Sequence, residues 1–275
     1  MKTQILTLIT LAITNLCFGQ TDTIFSNNEK IPCSVKEITP DAVKYAFPGE
    51  DLTNSIYKNS VQKIVFKSGR VQTFAEATSF KKINGVDDFE NVTITQVESE
   101  VRGLFKVGDV SSKAKGTTTL SNQERVKERA YRKMKIVAAM MGANIIYLTN
   151  QRTEGNKMGG YYQSGSTAET NLTGISYTNQ LPNLEEFQKV INEKKSFTAI
   201  QEAKLWSSAS DMTKTDFFNN FVISSITNEN GLIIINGSLE GVLNYKLFRV
   251  VSFDNDYFNI YYEDKSTSYN IKIKI

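Results

Sequence analysis

The chain has 275 residues with 32 Lys and Arg against 29 Asp and Glu, no histidine, and two cysteines. A balance so close to neutral offers little counterion release to a polyanion, which argues against nucleic-acid binding. Without histidine the usual triads, the Cys-His dyad and nearly all zinc sites are also missing.

At its start, Lys2 supplies a positive charge, residues 5–13 a short apolar run, and Cys17 and Gly19 small residues at the two positions a signal peptidase inspects. This pattern predicts an export signal over 1–19, cleaved near Gly19/Gln20. The apolar run is far below the roughly 20 residues needed to span a bilayer, and no later stretch approaches that length, so no transmembrane helix is expected. Leu16, not a small residue, precedes Cys17, which favours a soluble product over a lipid anchor. The expected location is the periplasm or the outer-membrane surface, with peripheral membrane association left open. Beyond the signal only Cys33 remains, so no intramolecular disulfide closes and stability must come from packing. At about 100–200 residues per domain, two or three domains are expected.

From 20 to 80 apolar residues alternate in short runs, predicting strands over 22–25, 31–38, 42–47, 62–66 and 71–74. Thr39-Pro40-Asp41 and Lys67-Ser68-Gly69 supply turns between them. Ile31, Cys33 and Val35 share one strand face, so Cys33 reads as a small apolar core residue. The phrases IPCSVKEITPDAVKYAF and VQKIVFKSGRVQTF resemble a short β module of exported Bacteroidetes-type proteins, and that resemblance carries no catalytic residues.

A second module is expected over 84–180, built around one helix. Ser121 and Glu124 form a candidate capping box, and Val126, Ala130, Met134, Val137 and Met141 recur at helical spacing up to Gly142. Strands are predicted over 92–101, 145–148 and 173–177, giving a β-α-β core with extra strands. The segment ERAYRKMKIVAAMMGANIIYLT resembles the compact domain of YbjQ-like and RcsF-like envelope proteins, on Ala138, Gly142, Ala143, Asn144 and Ile145 at the helix-to-strand junction. The resemblance implies a fold and an envelope setting. Cysteines carried by RcsF-type domains are missing from this segment, so no redox or soft-metal role follows.

The third expected module, 181–275, begins with a helical connector reaching toward Trp206, in which Asn183 and Glu186 form a second candidate capping box. Strands are predicted over 221–226, 232–235, 245–253, 257–262 and 268–275, an antiparallel meander with turns at Asn230-Gly231, Asn236-Gly237, Asp254-Asn255 and 264–266. The fold class expected for the whole is α+β, a β-rich chain of several modules.

Few residues suggest chemistry. Ser55-Ile56-Tyr57-Lys58 and Ser79-Phe80-Lys81-Lys82 match S-x-x-K, but the companion motifs are missing. Glu185, Glu186, Asp254 and Asp256 are available acids, and Asp254-Asn255-Asp256 suits a hairpin turn better than a calcium loop. On the central helix Arg125, Arg129 and Arg132 fall into one stripe with Lys133 at its edge. The stripe is a candidate grip for an anionic partner, or a solvated face softened by Glu124 and Glu128. Tyr161 and Tyr162, among glycines, form a candidate recognition loop. No catalytic, cofactor or metal residues are assigned. The leading expectation is a non-enzymatic exported protein acting through protein contacts in the cell envelope, such as an accessory subunit of an outer-membrane or periplasmic assembly. The alternative is a small-ligand or lipid-binding periplasmic protein whose C-terminal sheet encloses an apolar pocket.

Overall fold

The computed structural model describes residues 21–26, 29–74, 81–118, 120–155, 157–161 and 164–275. The expected export signal, Tyr162 and the Ser79-Phe80 pair lie outside the described residues. The fold is β-rich with few helices, in three sheets, and the chain divides into two compact units, 1–75 and 76–275.

The first unit is a six-stranded antiparallel sheet. Its strands are β1 (Asp22–Ser26), β2 (Glu29–Ile38), β3 (Ala42–Ala46), β4 (Asn54–Tyr57), β5 (Val61–Val65) and β6 (Val71–Thr73), in the order β4-β3-β2-β1-β5-β6. Ile24, Cys33, Val43, Tyr45, Val61 and Ile64 form its core. Burial pushes the Cys33 thiol up to about 11, the behaviour of a packed apolar residue rather than a reactive one. Asp22 is buried but satisfied, accepting from Val35 N and Lys67 N at 2.8 Å each. Strand β4 is absent from the sequence expectation. It carries Ser55 exposed, and the 3₁₀ turn Lys58–Ser60 follows it. With Ser55 on a strand and Lys58 in the turn after it, the S-x-x-K match has no shared helix face to stand on.

The second unit opens with a four-stranded layer: β7 (Thr93–Thr95), β8 (Phe105–Lys115), β9 (Ile145–Glu154) and β10 (Glu169–Thr178), in the order β7-β9-β10-β8. Here β7 pairs parallel with β9, and the other pairings are antiparallel. Helix α1 (Gln123–Met140) packs on one face through Val126, Ala130 and Met134. Its cap is Asn122, one residue beyond the expected Ser121, with Asn122 Oδ1 accepting from Arg125 N at 3.1 Å. Ser121 Oγ instead accepts from Thr118 N at 3.0 Å. The helix ends in a Schellman closure, Ala143 N to Ala138 O at 2.9 Å and Gly142 N to Ala139 O at 3.0 Å, with Gly142 at φ +79°.

The rest of this unit departs from the expected open meander. Helix α2 (Leu184–Ile191) is followed by β11 (Ser196–Leu205), β12 (Thr213–Glu229), β13 (Leu232–Leu239), β14 (Leu247–Phe253), β15 (Tyr257–Asp264) and β16 (Thr267–Lys274), which close into a barrel. The helical part of the connector expected up to Trp206 forms as α2, but β11 replaces its second half and β12 begins at Thr213 rather than 221; the pairing of β11 with β12 and with β16 completes the ring. Asn236-Gly237 is not a turn but lies inside β13, where a Cβ on Gly237 would stand 2.3 Å from Val222 O. The predicted turn at Asn230-Gly231 does form, with φ 54° and 86°. Asp254 Oδ1 accepts from Asp256 N and Tyr257 N at 2.8 and 2.7 Å, which is turn chemistry.

Phe197, Phe221, Phe248 and Phe258 fill the barrel, with Phe197–Phe258 and Phe221–Phe248 edge-to-face at 5.3 Å. Phe187 of α2 closes one end against Phe253 and Phe258. The expectation of separate modules meeting at 180/181 meets a shared core: Ala203, Leu205, Val251 and Tyr261 of the barrel wall join the cluster around Met134. Arg249 on β14 donates to Val107 O at 2.8 Å and Met141 O at 3.0 Å, and Asn270 on β16 donates to Met140 O at 3.0 Å. The barrel wall therefore satisfies the orphan carbonyls at the end of α1.

Candidate interaction groove

The arginine stripe exists, but most of it is engaged within the molecule. Arg132 bridges Glu90 at 3.1 Å and Asp211 at 3.0 Å and lies over the Phe89 ring, while Arg129 donates to Lys115 O at 2.9 Å. Arg125 is exposed. Lys133 points elsewhere: it is 5% exposed and donates to Ser207 O on the loop after β11. The four residues thus do not converge on one anion site. Tyr161 is 95% exposed, beside the isolated bridge Lys157–Ser166.

The feature sequence reasoning missed is β8. It is the last strand of its sheet, and among the described residues its second edge meets no strand. In antiparallel pairing the N–H and C=O of a residue point to the same side, alternating along the strand. Lys115 O, which accepts from Arg129, identifies the outward set; Val107 O accepts from Arg249 but lies at the bulge, outside the regular alternation. Gly108 O, of opposite parity, accepts from Ser176 Oγ of β10 at 2.7 Å. Asp109, Ser111 and Lys113 therefore present their backbone groups outward, and among the described residues no hydrogen bond satisfies those groups.

A groove of about 850 Å³ runs along this edge. Residues 109–113 line it on one side, with Thr149 of β9 and 171–175 of β10 behind them, and Trp206, Ser207, Glu263 and Ser266 of the barrel rim line the other. Lys133 lies in its wall, with burial lowering the pKa of its amine. Tyr261 also reaches it, its hydroxyl pushed up to about 12 by burial. The neighbouring charges are neutralised in pairs, Lys106 with Asp109 at 2.9 Å and Lys113 with Glu169 at 2.7 Å.

A smaller recess of about 380 Å³ lies at the barrel mouth away from α2. Glu202 and Lys204 reach it because a bulge between Ala199 and Gln201 turns that end of β11 over. Burial raises the Glu202 pKa. Tyr262 stacks on Tyr269 at 4.6 Å and Tyr245 lies 5.1 Å from Tyr262, while Lys204 Nζ sits 5.0 Å from the Tyr269 ring. The tyrosine faces are thus largely turned on one another, and the stack closes the barrel rather than opening a cage.

No family model matches the chain, and neither a curated protein nor a solved structure was found to be similar to it.

Proposed function

We propose that this is a non-enzymatic polypeptide-binding protein of the cell envelope, exported to the periplasm or the outer-membrane surface, where it serves as an accessory subunit of a larger assembly. The β7–β10 layer with α1 is the envelope-type β-α-β module of this reading. The observation that carries it is the unsatisfied edge of β8 lying open in a groove, since a bare row of N–H and C=O groups is a template for another chain. The alternative of an apolar ligand enclosed by the C-terminal sheet is disfavoured by the packing, because phenylalanines occupy that interior.

The test is photo-crosslinking in native cells from an unnatural residue at Ser111, with the same residue at Glu229 on the far β12–β13 hairpin as control. A discrete adduct from Ser111 and none from Glu229 is expected. No adduct, or the same adducts from both positions, overturns the reading.

A further inference from the structure

We infer that the groove beside β8 takes up an extended acidic segment of a partner polypeptide as an added strand, pairing with Asp109, Ser111 and Lys113 while one of its carboxylates meets Lys133 Nζ. This rests on the polypeptide-binding reading and names the chemistry of the segment.

The backbone argument sets the shape. Unsatisfied donors and acceptors recur at every second residue, and only an extended chain repeats at that spacing, about 6.6 Å per two residues. Arg249 and Arg129 occupy the carbonyls of Val107 and Lys115, so the open stretch is framed at both ends and a segment is held to one register.

Charge selects the composition. Lys133 is 5% exposed, donates to the neutral Ser207 carbonyl, and has no carboxylate paired with it among the described residues. A buried ammonium is costly unless an opposite charge accompanies it. Lys106 and Lys113 already have acids, which leaves Lys133 as the groove's unneutralised cation. Glu263 stands exposed on the barrel rim, where water screens its charge. A second copy of this chain could offer Asp109 opposite Lys113 in a two-fold pairing, but Trp206 and Ser207 form the far wall of the groove. A whole globular neighbour must clear that wall, whereas a single extended chain need not.

The test uses a fluorescein-labelled peptide of four Val-Glu repeats titrated with the full chain and followed by anisotropy. Saturable binding is expected, weakened at least about ten-fold by Ser111→Pro and by Lys133→Met. Alternate N-methylation of the peptide, or Val-Lys in place of Val-Glu, should abolish it. Should Lys133→Met fail to fold, comparison of Val-Glu with Val-Gln repeats on the unaltered protein reads the same contact. Absence of binding, equal binding of the N-methylated or Val-Gln peptide, or a dimer in sedimentation that Ser111→Pro dissolves each overturns the inference. If the Ser111 crosslink in cells persists while the Val-Glu peptide fails, the acidic strand is wrong and polypeptide binding stands; loss of both removes both.

Discussion

The two β structures of the second unit handle their edges in opposite ways. In the barrel β16 returns to pair with β11, so the sheet has no first and last strand, and phenylalanines fill the enclosed space. In the four-stranded layer β8 ends the sheet with three outward residues unsatisfied, and charged side chains at Lys106, Asp109, Lys113 and Lys115 guard the edge. Closure removes the free first and last edges of a sheet. An open edge keeps some for another chain, and its charged residues discourage indiscriminate pairing.

The sharpest way to break this contrast is to empty the barrel. Phe258 touches Phe187, Phe197 and Phe221 and is fully buried, so Phe258→Ala should destabilise by about 3–5 kcal/mol in urea denaturation. A loss below about 1 kcal/mol would mean that the interior is not close-packed.

A matched pair of prolines probes the edges directly. Ile271 is paired on both sides, to Glu202 and Ile260, and Ile271→Pro should cost about 3 kcal/mol or more. Ser111→Pro removes an N–H that has no partner among the described residues and should cost under about 1 kcal/mol. Equal losses in thermal melts would show that the β8 edge is engaged after all.

The first unit gives a pH-dependent counterpart. Cys33 titrates near 11 in the fold against an ordinary value of 9.0, so the folded state keeps a proton that the unfolded chain gives up between those values. The thiol's contribution is fully present below pH 9 and is lost as pH rises through 11, by up to roughly 2–3 kcal/mol. Denaturation midpoints at successive alkaline pH values should fall more steeply for the wild type than for Cys33→Ala.

The smallest effect concerns the helix that joins layer and barrel. Asn122→Ala removes the side-chain acceptor for Arg125 N and should cost about 1 kcal/mol, while Ser121→Ala should cost less. The reverse order, measured by urea melts, would return the cap to Ser121.

Legibility in the sequence followed the regularity of burial. Strands β1, β2 and β3 were readable because one face is buried and the other wet, which imposes a period of two, whereas β5 and β6 were marked by short apolar runs around the Lys67-Ser68-Gly69 turn. The final strand β16 showed the same alternation through Tyr269, Ile271 and Ile273. Strand β11 hid because its bulge reverses the faces: Phe197 and Ala199 enter the barrel, while Ala203 and Leu205 pack outward against the layer. Strand β8 hid because its buried face is partly polar and small, with Ser112 donating to Ala130 O and Ala114 beside it. The groove was therefore invisible. Of its residues the sequence offered only Lys133 as a site candidate, and for a stripe from which the fold diverts it.

By itself the sequence determined the β-rich class, the long helix of the second unit with its glycine ending, and a chemistry without histidine. These depend on composition and on patterns a few residues long. Tertiary structure alone decided the barrel's closure, the burial of Lys133, the bonding of Arg249 to Val107 and Met141, and that the β8 edge stays open. Those depend on pairings between residues far apart in the chain, such as Ala199 with Ile273 and Arg249 with Val107, and no local period records them.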